Sequence, residues 1–192
     1  MNEKTSKLVK ISLLSAIAII LRYIEFPIIP AFTWLQFDFS DVPAMLGAFG
    51  FGPIAGIIIE LLKNVLILVI KGTGTGFVGE LANFLMGSAL VVPAGLLYYR
   101  KKNKKNAIIG MILGAVCIQI VGILSNIYIL LPAYHMTMDN TMLMNYITFG
   151  LLPINGIKAV ATSVVTYILY KKLSVAIFKA ESNFGSPERT TN

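Results

Sequence analysis

Long apolar runs, separated by short polar stretches in which most of the cations collect, limit what this chain can fold into more than any other feature. A helix crossing a hydrocarbon layer about 30 Å thick needs about 20 predominantly apolar residues. Runs of that kind occupy residues 8–26, 77–99, 107–131 and 146–170, with a broken apolar stretch at 42–70. Charged residues make up only 13% of the chain, against about 25% in an ordinary soluble domain, and the mean hydropathy is +0.78. The expectation is an all-α, polytopic membrane helix bundle. At 192 residues it forms one transmembrane domain, with a core at 8–172 and a polar tail at about 173–192.

Reading along the chain gives six crossings. Lys4, Lys7 and Lys10 precede the run 11–21 in the manner of a signal peptide, but no small-residue cleavage site follows, so a retained first helix is expected. Pro27 and Pro30 end it and open a stretch containing Trp34, Gln36, Asp38 and Asp41. Ser40 or Asp41 is placed to cap the second helix, 42–59, with Pro43 in its first turn. Gly47, Gly50, Gly52 and Pro53 interrupt that helix, and Glu60, Lys63 and Asn64 leave only a brief apolar stretch to Ile70. The second and third helices are therefore expected to be short or kinked. A glycine-rich turn at 71–79, a basic connection at 100–106 and a polar loop with His135 and Asp139 separate the remaining three.

The net charge of +7 resides at the start, at 100–105 and at 171–179, each beside an apolar run, and no wider basic face exists for a nucleic acid. The connections 27–43 and 132–145 contain neither lysine nor arginine. The positive-inside rule then puts both termini in the cytoplasm, with six crossings. Cys117 is the only cysteine, which excludes an intrachain disulfide and a thiolate metal cluster.

Glu80, Asn83, Asn126, Asn155 and Lys158 stand within or at the edge of apolar helices. A charge at the membrane centre costs about 2.5–3.5 kcal/mol on insertion scales, so such groups face protein, water or a ligand. Glu80 and Asn83 share a helical face, as do Asn155 and Lys158, and all five fall toward the non-cytoplasmic half. A pocket open to the outside accounts for them together. The plainer alternative pairs Glu80 with Lys158 and uses the asparagines to join helices. Glu60 and Lys63 also share a face, near the cytoplasmic turn, which suggests a local or coupling role. Trp34, Phe37 and Phe39 are placed to cover a planar ligand or to anchor an interface. Ser12 with Ala16, and Gly110 with Gly114, have the small-residue spacing of close helix contacts.

Enzyme chemistry is not called for. The turn at 72–79 lacks the lysine–serine ending of a phosphate-binding loop, and a single loop histidine builds neither a metal centre nor a catalytic triad. Nothing in the chain resembles an ATPase, so any energy for transport must come from a partner.

Three segments carry a resemblance. Leu35–Gln36–Phe37–Asp38–Phe39–Ser40–Asp41–Val42–Pro43, Gly79–Glu80–Leu81–Ala82–Asn83–Phe84 and Asn155–Gly156–Ile157–Lys158 stand in this order, with Gly52–Pro53–Ile54–Ala55–Gly56 between the first two. Together they resemble the riboflavin-specific substrate-binding subunits of energy-coupling-factor (ECF) transporters, the RibU family, over about residues 8–172. The resemblance implies a six-helix bundle in a bacterial cell membrane that binds riboflavin from outside with high affinity, as transported substrate rather than cofactor, with FMN as an alternative. It implies that Leu35, Gln36, Phe37 and Asp38 cover the flavin, and that Glu80, Asn83, Asn126, Asn155 and Lys158 supply polar contacts. It also implies that Ser12 and Ala16 contact a transmembrane coupling subunit, which works with two ATPase subunits. Ser12 stands where an alanine is common in that family, a change that preserves close packing. The alternatives are a subunit for another vitamin and, from a different class, a small membrane enzyme acting on a lipid or isoprenoid.

Overall fold

The computed structural model describes residues 2–74 and 76–176. The expected polar tail lies outside the described residues from 177 onward. Six helices carry the chain: α1 (Glu3–Tyr23), α2 (Asp41–Phe51), α3 (Pro53–Lys71), α4 (Val78–Arg100), α5 (Lys104–Ala133) and α6, which starts at Asn140 and continues through Leu152–Ala176. Among the described residues the strands are confined to a two-residue antiparallel ribbon in the first loop, pairing Phe26 with Phe37 and Pro27 with Gln36.

Four of the helices, α3 to α6, are long and apolar enough to cross a membrane. The eleven residues of α2 reach only about 16 Å at 1.5 Å per residue, so this helix covers part of the bundle's depth, starting inside it where Asp41 meets Lys63. Its end is built by Gly52, whose φ of 98° is left-handed backbone that suits glycine, and whose N–H bonds the Ala48 carbonyl. Pro53 then opens α3, where its missing N–H costs nothing. This corrects the sequence reading. Residues 53–59 belong to α3, which at nineteen residues is a full-length helix rather than a short third segment. Nor does either candidate cap act through its side chain: Ser40 holds the N-cap position of α2 without a side-chain bond, and Asp41 is engaged elsewhere.

Small residues set the closest helix approaches. A Cβ on Gly114 would lie 2.2 Å from the Leu90 carbonyl oxygen, and one on Gly110 2.8 Å from the Ala94 Cα, so the α4–α5 seam is drawn together at both glycines. Near the loop that follows α4, Phe49, Tyr98 and Tyr170 pack ring on ring at 4.6–5.4 Å and fill the core between α2, α4 and α6.

Both α5 and α6 contain one π-helical turn, at Asn126–Leu130 and Tyr146–Leu151. Each is followed two residues later by a proline, Pro132 and Pro153. A proline ring clashes with the carbonyl one turn back, and a locally widened turn relieves that clash. The widened turns begin at Asn126 and Tyr146, whose side chains meet: the Tyr146 hydroxyl donates to Asn126 Oδ1 at 2.7 Å. The π turns thus bring polar groups of two helices to one point.

Candidate functional site

A cavity of about 600 Å³ opens at the end of the bundle that carries the first loop and the α3–α4 turn. Its volume falls in the range of small-molecule pockets. The wall is mostly apolar, with Met86, Leu131, Leu151 and Ile154 among its residues, and a small number of polar groups stand among them. Seven of the nine expected ligand-binding residues line it: Leu35, Gln36, Glu80, Asn83, Asn126, Asn155 and Lys158.

Two amides are left with unused capacity. Asn155, 1% exposed, has an Nδ2 without a hydrogen-bond partner, and the Oδ1 of Asn83 is likewise without one, among the described residues. A buried amide group left dry costs about 1–3 kcal/mol. One is a donor and the other an acceptor, both on residues lining the same cavity. Asn126 behaves differently: its Nδ2 donates to the Gly122 carbonyl at 2.8 Å and its Oδ1 accepts from Tyr146. One amide hydrogen at most remains for a ligand, so Asn126 is chiefly a fastening for the π turns.

That fastening extends to the first loop. Trp34 Nε1 donates to the Tyr146 hydroxyl at 3.4 Å, and the Trp34, Phe32 and Tyr146 rings cluster with centroids 5.2–6.1 Å apart. Gly150 is needed here, since a Cβ would meet the Phe32 ring at 2.9 Å. The loop is therefore held across the pocket by aromatic contacts on α6.

Phe37 and Asp38 do not line the cavity. The ribbon alternates its side chains, so Gln36 faces the cavity while Phe37 turns into a stack with Phe26 and Phe39 at 5.6 and 4.9 Å. Asp38 lies behind the wall, wholly buried, and enters a chain of ion pairs. This chain alternates in sign through Lys71, Glu25, Arg22, Asp38, Lys158, Asp41, Lys63 and Glu60. It begins at half-exposed Lys71 on α3, crosses to the first loop, α1, α6 and α2, and returns to a fully buried Lys63–Glu60 pair on α3. Four cations face four anions, which is what makes their burial tolerable. Burial by itself would raise the Asp38 carboxyl, but Lys158, Arg22 and Lys63 hold it well below the usual carboxylate range.

This ladder is what the sequence reading missed. Lys158 pairs with Asp38 and Asp41, each at 3.2 Å. Glu60 and Lys63 lie in the middle of α3 inside the bundle rather than beside a turn, with Lys63 bonding Asp41 at 2.7 Å and Glu60 at 2.6 Å. The usable signal was two acidic residues, Asp41 and Glu60, and one basic residue, Lys63, in or next to apolar helices. Ser12 and Ala16 lie on the exposed face of α1, away from the pocket.

The chain is similar to known proteins over most of its length. The model of the family described as "ECF transporter, substrate-specific component" matches residues 6–170. The riboflavin transporter RibU of Staphylococcus aureus (strain TCH60) is 38% identical over 176 residues, covering 90% of this chain and 92% of that protein. The riboflavin transporter FmnP of Bacillus subtilis (strain 168) is 35% identical over 176 residues, covering 88% and 93%. A solved structure of the S component of a bacterial ECF transporter superposes with a TM-score of 0.76 at 37% identity, covering 90% of this chain and 97% of the other.

Proposed function

The chain belongs to the substrate-specific components of ECF transporters, and from that premise we propose that it captures riboflavin with high affinity and delivers it across the bacterial cell membrane. It is a binding subunit, not an enzyme. The observation that carries the choice of ligand is the pairing of a mostly apolar cavity with an unused donor on Asn155 and an unused acceptor on Asn83. Riboflavin presents matching chemistry. Its dimethylbenzene edge is apolar, while its pyrimidine edge offers both carbonyl acceptors and an N–H donor.

In this reading Leu35 and Gln36 cover the ring from the first loop. Glu80, Asn83, Asn155 and Lys158 address the pyrimidine edge and the ribityl hydroxyls, and Asn126 contributes its remaining amide hydrogen. Phe37 and Asp38 act from behind the wall. The single domain, core 8–172, crosses the membrane six times with both termini cytoplasmic, so that the pocket opens outward. The basic clusters at the start and at 100–105, against connections 27–43 and 132–145 that hold no lysine or arginine, support this orientation. Ser12 and Ala16, exposed on α1, form the face for the transmembrane coupling subunit, through which two ATPase subunits supply the energy.

The test is to purify the chain without added ligand, identify any small molecule that accompanies it, and titrate it with riboflavin, FMN, thiamine and biotin. Saturable quenching of flavin fluorescence, undiminished by excess thiamine or biotin, is the expected result. The pocket rim carries Arg22 and Lys71, both held by Glu25, so the FMN arm decides whether a phosphate is accepted there. Monodisperse, helical protein that shows no saturable flavin binding would overturn the assignment.

A further inference from the structure

Lys158 is shared between two systems: it lines the cavity, and it is the central cation of the buried ion ladder. An ammonium carries three donors. That of Lys158 donates one hydrogen bond, to Asp38 Oδ2, and pairs by charge with Asp41 Oδ2, both at 3.2 Å, the longest contacts in the ladder, whereas Lys63 lies 2.7 Å from Asp41 and 2.6 Å from Glu60. Asp38 is in turn fixed by the Arg22 guanidinium at 2.9 Å and by the Ser40 N–H at 2.7 Å. It lies in the same loop as Leu35 and Gln36, which line the pocket. Asp41 begins α2 and is tied to α3 through Lys63.

A buried ion network adds little stability over apolar residues of the same shape, and its best-attested use is to fix one arrangement among several. Here the arrangement it fixes joins loop to pocket. We propose that Asp38 and Asp41 are positioning residues, which hold the Lys158 ammonium against the pocket and thereby couple seating of the first loop to ligand contact at Lys158. The ligand gains a fixed cation, and the loop gains a lysine that stays in place only while the loop is seated. Either event favours the other. This rests on the riboflavin reading given above.

The experiment is a double-mutant cycle on the full chain in detergent, with Asp38→Asn, Lys158→Met and the pair, reading riboflavin affinity and dissociation rate. Each single change is expected to raise Kd about 10- to 100-fold, mainly through faster dissociation, and the double variant is expected to bind no more weakly than Lys158→Met alone. A role for Asp38 in folding alone would multiply the two losses, and that result overturns the proposal, as does Asp38→Asn binding like the parent. Should Asp38→Asn fail to yield monodisperse protein, Asp38→Glu keeps the charge but displaces it, and the same cycle decides between coupled and independent effects. Absence of flavin binding by the unmodified chain overturns the riboflavin reading itself. Normal binding by that chain with independent losses in the cycle overturns only the positioning role.

Discussion

Gly122 offers a sharp test of the pocket because it touches no ligand group of its own. A Cβ at this position would lie 2.3 Å from Asn155 Nδ2 and 3.4 Å from the Met86 Cε. Ordinary contact begins at about 3.4 Å, so Gly122→Ala requires the Asn155 amide to retreat by about 1 Å. A hydrogen bond stretched by that amount is lost, and a buried partner left without it costs about 1–3 kcal/mol, or about 5- to 150-fold in Kd. Folding is less affected, since the overpacking cost of about 1–3 kcal/mol is offset by about 1 kcal/mol from replacing glycine with alanine inside a helix. The assay is fluorescence titration of riboflavin beside thermal unfolding in the same detergent. The decisive control is Asn155→Ala: with the amide gone, adding Gly122→Ala should change Kd no further. Unchanged binding by folded Gly122→Ala, or an equal loss in both backgrounds, refutes the assignment of Asn155 as a ligand donor.

Other perturbations separate the loop fastening, the helix seams and the outer face. Tyr146→Phe strips the donor from Asn126 Oδ1 and the acceptor from Trp34, so dissociation should speed about 5-fold or more in stopped-flow quenching; an unchanged rate contradicts the fastening. Gly114→Ala drives a Cβ against the backbone oxygen of Leu90, which cannot give way, and should lower stability by about 1–3 kcal/mol in thermal melts, with Kd intact for the fraction that folds. Ala16→Leu, on the exposed face of α1, should abolish riboflavin uptake by cells while leaving binding to purified protein unchanged; loss of both would place Ala16 in the fold instead. The folded Asp38 carboxyl titrates below its unfolded value, so its contribution is complete above about pH 4 and fades only as pH falls through the lower folded value. Asp38 should therefore contribute no pH dependence to binding from about pH 8 to 5, and an acid-dependent loss in that range that disappears in Asp38→Asn would refute its ion-paired state.

The sequence exposed the helices through their apolar runs, and five pocket residues through their polarity in the wrong place, while Leu35 and Gln36 were indicated only by the resemblance of the first loop. It was least legible where one apolar run contains two elements. From Val42 to Ile59 hydrophobicity never falters, so the division at Gly52–Pro53 is written only in backbone chemistry: a left-handed glycine followed by a proline at a helix start. The ion ladder was hidden for a related reason. Because α2 is so short, its first residue, Asp41, lies inside the bundle against Lys63, and no pattern along one helix reports its register against another. Phe37 leaves the cavity wall because the ribbon sends it to the side opposite Gln36, and Asp38, just past the ribbon, is drawn behind the wall by its ion pairs with Arg22 and Lys158.

The two polar systems obey one energetic rule. A neutral amide left dry costs about 1–3 kcal/mol, which a folded bundle can carry, but an unpaired buried charge costs several times more. The cavity-lining side chains with a polar atom left dry are accordingly amides, Asn83 and Asn155, while every rung of the ladder from Lys71 to Glu60 meets a residue of opposite charge. Lys158 is the member where the rule allows overlap: two carboxylates compensate its charge out of water, and the residue also lines the cavity. A ligand that met an uncompensated lysine would first have to supply the counter-charge, which restricts the pocket to anions. Because Asp38 and Asp41 already supply it, Lys158 can serve a neutral, hydroxyl-rich molecule, and the same two carboxylates explain why a site containing a cation is suited to an uncharged vitamin.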